Sequence, residues 1–250
     1  MNRKIKVSAV SYLNTKPLLY GIERHGVLEQ IELILEYPAL IAQHLRDDTT
    51  DVGLVPVAAM PTIPNARIIS DYGIGADKEV ASVCIFSKVP MENIERIYLD
   101  YQSRTSVRLA QVLLKHYWKK DVELLQAPEN YIDLIDGTTA GVIIGDRALQ
   151  QLERFEFIYD LAENWRTFTG LPFIFAAWVA NKDLPEDFIS QFNEANASGL
   201  EHIDQVVEDN PFPDYDLQVY YRKNICYFLD EEKKKGLALF LEYLRDPSII

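Results

Sequence analysis

The chain has 250 residues, 48% of them hydrophobic and 25% charged, enough to bury a core as one large domain or two lobes. Its net charge of −13 argues against nucleic acid or an anionic membrane surface as a partner, while leaving room for a local anion site. No stretch approaches the roughly 20 apolar residues of a membrane span, and "MNRKIKVSAV" has no long apolar signal region, so a cytoplasmic protein is expected.

In chain order, "IKVSAV" reads as a buried strand and "PLLYGIERHG" as a helix with Pro17 in its first turn. "IELILEY" alternates like a strand, "PALIAQHLRDD" is helical and "DVGLVPV" is a strand stopping at Pro56. The same order returns with "IERIYLD", the helix "SRTSVRLAQVLLKHYW", "VELLQA", the short helix "NYIDLIDG", "AGVIIGD" and the helical "RALQQLERF". Two βαβαβ units in series define an α/β protein with two mostly parallel sheets. "EVASVCIFSKVP" and "LPFIFAAWVAN" are apolar runs suited to carry the chain from one sheet to the other and back. The expected lobes are residues 1–84 plus 178–250 and residues 85–177, with the C-terminal helices "PEDFISQFNEANASGLEHIDQVVEDN" and "EEKKKGLALFLEYLRD" completing the first. In this plan a ligand binds between the lobes, at the C-terminal ends of the strands.

The strand ends carry hydroxyls and amides: Ser11 to Lys16, Ser103 to Ser106, and Gly145 with Asp146. Ser103, Thr105 and Ser106 open a helix directly after a strand, where free N–H groups and the helix dipole favour carboxylates or phosphates. Taken alone, a capping role for Ser103 and Ser106 is the commoner reading. Asp146 could cap the following helix or act as a base, and Gly145 could let a ligand approach the backbone. Arg104 is the best placed cation. His25, His44, His116 and His202 fall on predicted helices or their ends, away from strand-end loops. Cys84 and Cys226 read as buried free thiols, and Trp118, Trp165 and Trp178 as core. Nucleophile-elbow, phosphate-loop, zinc-protease and dinucleotide motifs are absent, and "YGIGAD" holds only the first two glycines of a dinucleotide fingerprint. No metal or cofactor is expected. The residues by themselves admit an enzyme or a non-catalytic cytoplasmic solute-binding or sensor protein for a small anion, and they leave a homodimer open.

From "AVSYLNTKPLLYG" onward the chain resembles the menaquinone-biosynthesis family whose members are chorismate dehydratases of the futalosine route. "DVGLVPVAAM", "VASVCIFSKVP", "LDYQSRTSVRLAQVLL", "IIGDRAL" and "YDLAENWRTFTGLPFIFAAWVA" follow in the family's order, and "YYRKNICYFLDEEKKKGLALFLEYL" is more loosely similar. The resemblance implies the two-lobed type II periplasmic-binding-protein fold with an interlobe cleft. It implies loss of water from chorismate to give 3-[(1-carboxyvinyl)oxy]benzoate. The family's ligand positions fall on Asn14 and Ser82, expected to be catalytic, and on Ser103, Thr105, Ser106, Gly145 and Asp146; Ser11 and Arg104 join them as expected substrate contacts from their place at the strand ends. "SYLNTKP" and the lack of a strand-end histidine favour the dehydratase over the sister dihydroxynaphthoate synthase. One departure stands out: "GADKEVAS" puts Asp77 and Glu79 before Ser82, where the family often has small or basic residues.

Overall fold

The structure, a computed structural model, describes residues 3–249, with residue 39 described in its backbone only. Eleven strands are seen among these residues: β1 (Ile5–Ala9), β2 (Ile31–Leu35), β3 (Val52–Pro56), β4 (Arg67–Ala76), β5 (Val83–Ser87), β6 (Arg96–Leu99), β7 (Glu123–Gln126), β8 (Thr139–Ile144), β9 (Phe157–Asp160), β10 (Phe173–Ala180) and β11 (Cys226–Phe228). The α-helices are α1 (Lys16–Arg24), α2 (Pro38–Arg46), α3 (Arg104–Val112), α4 (Asp146–Leu149), α5 (Leu161–Thr169), α6 (Glu186–Glu201), α7 (Ile203–Asp209), α8 (Leu217–Val219) and α9 (Glu231–Tyr243).

The chain forms two compact units. The first holds residues up to Gly75 together with Ile174–Asp230. Its sheet has the order β11-β4-β10-β3-β1-β2, with β1 parallel to β2 and β3, and β10 antiparallel to β3. Helix α1 packs closely on α6 because both carry glycine at the crossing: a Cβ on Gly21 would stand 1.9 Å from the Ala195 carbonyl oxygen, and one on Gly199 would stand 1.8 Å from that of Pro17. Trp178 fills the core beside Phe192, its indole N–H donating to Asn196 Oδ1 at 3.0 Å.

The second unit holds Ala76–Phe173 and the stretch from Glu231 onward. Its sheet has the order β7-β6-β8-β5-β9, parallel around β6 and antiparallel around β5. Every residue of β5 and β8 is buried, as expected of strands covered on both faces. The edge strand β7 is largely exposed, with Glu123 and Gln126 facing solvent.

Helix α9 departs from the sequence expectation. It was expected in the first lobe, but it completes the second unit: Phe240 is fully buried, with its ring 4.9 Å from Phe173 and 6.0 Å from Trp165. The reason is the aromatic face it shares with α5, a helix that the hydrophobic pattern did not single out. The chain therefore passes between the units three times, at 75/76, 173/174 and 230/231, where two crossovers were expected. Strand β9 also went unread, and "YGIGA" is the second half of β4. Cys84 is buried, whereas Cys226 is only partly so. Trp165 and Trp178 lie in the core, while Trp118 is half-buried.

Candidate functional site

In the first unit the candidate residues follow β1. The backbone leaves the strand, takes one tight turn at Leu13–Thr15 and enters α1, with Pro17 in the first turn where its missing N–H costs nothing. Ser11 is exposed and accepts a hydrogen bond from Lys16 Nζ at 3.1 Å. Asn14 is half-buried; its Oδ1 accepts from the Thr15 hydroxyl at 3.1 Å. The Asn14 carbonyl is held from β11 by the Tyr227 hydroxyl at 3.0 Å. Burial raises the Tyr227 phenol well above its ordinary pKa, so it remains a neutral donor. Beside this turn lies a pocket of about 440 Å³, lined among others by Ser11, Tyr12, Glu36 and the exposed Tyr37 and Leu40.

One expectation about histidines is corrected here. His44 sits on α2, but its Nδ1 lies 2.9 Å from Glu36 Oε2, and Glu36 follows β2 directly. An imidazole therefore does reach a strand end in this unit.

In the second unit Ser82 and Gly145 meet. The Gly145 N–H donates to the Ser82 carbonyl at 2.7 Å, joining the start of β5 to the end of β8. Ser82 is almost fully buried. Gly145 has φ 64° and ψ −147°, a region that a side chain tolerates poorly, yet a Cβ there would meet nothing within 4 Å. Backbone conformation, not crowding, calls for glycine. Gly145 also takes the cap position of α4; Asp146 is the first residue inside that helix and not its cap.

The start of α3 bears out the capping reading. The Ser103 hydroxyl accepts from the Ser106 N–H at 3.1 Å and lies 2.8 Å from the Ser106 hydroxyl. Thr105 and Ser106 are buried, and Arg104 is exposed. Capping and anion binding are compatible, since the dipole and the remaining N–H groups of the first turn persist.

Two buried carboxylates, neither among the candidate residues, organise these loops. Asp100 ends β6. Its Oδ1 accepts the Gln102 N–H at 2.7 Å, next to the Ser103 cap. Its Oδ2 accepts from the Tyr131 hydroxyl and from Arg147 Nη2, each at 2.7 Å. Burial and the Asp100 charge push the Tyr131 phenol far up, keeping its proton in place. Burial works against the Arg147 cation, but Asp100 outweighs it and holds the guanidinium protonated; the cation also lies over the Tyr101 ring. Asp160 ends β9 and caps α5, accepting the Ala162 and Glu163 N–H groups on Oδ1 at 2.9 and 3.1 Å. Its signal was present in the sequence as Asp160-x-x-Glu163, a capping-box spacing at a helix start. Asp77, the acidic departure noted above, pairs with the buried ammonium of Lys233 on α9 at 2.7 Å. Its charge is thereby balanced within the unit.

Among the described residues no group of three or more His, Cys, Asp or Glu side chains is placed to hold a metal ion. No helix among them is long and apolar enough to cross a membrane.

By fold, the protein is of the periplasmic-binding-protein-like class. A Candida albicans protein described as exhibiting the generic periplasmic binding protein fold matches it with a TM-score of 0.58 at 13% identity, covering 98% of this chain and 95% of that one. By sequence the class narrows. Residues 5–246 match the family described as menaquinone biosynthesis, and the chain belongs to that family. A Thermus thermophilus protein named chorismate dehydratase is 27% identical over 265 residues, covering 94% of this chain and 93% of its own length. A Campylobacter jejuni protein of the same name is 27% identical over 228 residues, covering 89% of this chain and 86% of its own.

Proposed function

We propose that the protein is a chorismate dehydratase that eliminates water from chorismate to give 3-[(1-carboxyvinyl)oxy]benzoate in menaquinone biosynthesis. The observation that carries this reading is family membership over nearly the whole chain, with relatives of that name matching over most of both lengths. The groups at the strand ends suit the chemistry. Chorismate is a dianion whose C3 hydrogen is vinylogous to the ring carboxylate. Removing it as a proton gives a delocalised anion; the C3–C4 double bond then forms as the C4 hydroxyl leaves, and the ring becomes aromatic. Much of the driving force lies in the substrate. The protein must orient the ring, stabilise charge on the carboxylate and assist the leaving hydroxide, tasks that preorganised O–H and N–H donors perform.

In this reading Asn14 and Ser82 act on the reacting atoms, while Ser11, Ser103, Arg104, Thr105, Ser106, Gly145 and Asp146 hold the substrate. The substrate's own enolpyruvyl carboxylate takes the C3 proton and passes it to the departing hydroxide, so atoms balance as chorismate to product plus water. Asp146 is the rival base. If Asp146→Asn abolishes turnover while chorismate still binds normally, the substrate-assisted route fails. The test of function is incubation with chorismate, followed by ultraviolet spectrum and mass. Loss of the mass of one water supports the dehydratase. Binding without change supports a solute-binding or sensor protein instead.

A further inference from the structure

A helix cap needs one carboxylate oxygen, and Asp160 uses Oδ1 for that task. Its other oxygen reaches the segment that leads into the neighbouring strand β5. Oδ2 accepts the backbone N–H groups of Val80 at 2.8 Å and Ala81 at 2.7 Å, while the Cys84 thiol lies 3.8 Å away. The segment it grips is strained. Ala81 has φ 60°, and the Ser82 N–H returns to the Val80 carbonyl at 2.7 Å, closing a three-residue turn of the rare left-handed kind. Asp48, Asn65 and Lys119 also have positive φ; the side-chain types of Asp48 and Asn65 tolerate that region, whereas alanine, like lysine, has nothing of its own to offset it. Strain of this sort persists only where the surroundings over-determine it. Here the next residue is Ser82, whose N–H is spent in the turn and whose carbonyl is bound by Gly145.

We infer that Asp160 is the positioning residue of Ser82: its second oxygen holds the strained Val80–Ser82 turn and, through it, the junction of Ser82 with Gly145. This rests on the reading of Ser82 as a residue that acts on the substrate. Asp160 itself need touch no substrate, and α5 would be capped equally well by a smaller residue.

The experiment separates the two oxygens. Asp160→Ser keeps an N-cap for α5, since serine caps as well as aspartate, but removes the grip on Val80 and Ala81. Amide hydrogen exchange should show protection lost at Val80 and Ala81 and retained at Ala162 and Glu163. Turnover of chorismate should fall by about 10- to 100-fold in kcat/KM, the effect of a misplaced but present group. Adding Ala81→Gly should recover part of that loss, because glycine accepts positive φ without support. Should the serine variant fail to fold, Asp160→Thr, another capping residue with a single hydroxyl, removes the second oxygen in the same way, and the same exchange pattern is expected. Unchanged protection at Val80 and Ala81 overturns the proposal. So does lost protection with unchanged kcat/KM, or a loss that Ala81→Gly leaves untouched. If the wild-type chain leaves chorismate intact, the functional reading fails by itself, and the exchange measurement still decides what Asp160 holds.

Discussion

In the first unit, the Asn14 turn is tied down by neutral groups, a neighbouring threonine and the buried Tyr227 phenol, while the Lys16 ammonium reaches the exposed Ser11. In the second unit, Ser82, Gly145 and the α3 start are fixed through two buried carboxylates, Asp100 and Asp160, each accepting backbone N–H groups and side-chain donors. The contrast teaches how rigidity is obtained. Neutral anchors leave a loop adaptable and insensitive to pH. Ionised anchors in a low-dielectric interior give stiffer geometry, but tie it to protonation and to the integrity of each pair.

Four measurements would break or sharpen that contrast. Asp100→Ala should have the largest effect, since it strands the Arg147 guanidinium and leaves the Tyr131 hydroxyl only the Val142 carbonyl as acceptor; about 3 kcal/mol of stability is expected to go, measured by urea unfolding. A loss under about 1 kcal/mol would mean that Arg147 simply rehydrates.

Asp160 should make the second unit respond to pH. Burial pushes its pKa from 3.8 up to about 6, against the backbone N–H donors that pull it down. The shift is upward, so its stabilising contribution is complete below pH 4 and is lost as pH rises to about 6; it amounts to roughly 3 kcal/mol. The other titratable group facing the carboxylate is the Cys84 thiol, held protonated by burial and by Asp160 itself; the exposed Glu163 on α5 offers it only a backbone N–H. Turnover should move the opposite way, falling below about pH 6 as the protonated carboxyl loosens its hold on the Ser82 turn. Thermal unfolding across pH 4–7, with Asp160→Asn as control, should show this slope in the wild-type chain and a flatter one in the variant. Equal slopes would remove Asp160 from the account.

On the first unit, Asn14→Asp should cut kcat/KM by on the order of 100-fold, because it adds a negative charge beside a dianionic substrate. Near-normal activity would take Asn14 out of the site. Smallest of all, Tyr227→Phe should cost about 1 kcal/mol, one neutral hydrogen bond, with no dependence on pH between 5 and 8. A pH-dependent loss there would erase the distinction between the units.

The sequence made the architecture legible where periodicity and breakers agreed. Pro17, Pro38 and Pro56 mark real boundaries of α1, α2 and β3, and the buried runs of β5 and β8 were plain. Short elements escaped. β9 and α5 run together without a breaker, and "RIISDYGIGA" mixes glycines and charges because β4 is exposed at only some positions. Candidate site residues were readable as hydroxyls after strands. Their supports were not, because Asp100 binds the side chains of Tyr131 and Arg147 and Asp160 binds the backbone of Val80 and Ala81, all distant in sequence, and no local pattern reports that a carboxylate is buried. Asp160 did carry a local signal, but only for its capping half. The placement of α9 depended on aromatic packing against α5 and Phe173, a long-range match that no window of sequence contains.

The three passages of the chain set an order of assembly during synthesis. The main body of the second unit, residues 76–173, is made before the first unit can close, since the first needs Ile174–Asp230. Yet the second unit waits longer, because Phe240 and the Lys233 partner of Asp77 arrive only with α9. A nascent chain stopped after Asp230 would hold a finished first unit and a second unit with an open aromatic face, a species suited to chaperone capture. Helix α9 is therefore the piece that completes the unit carrying Ser82.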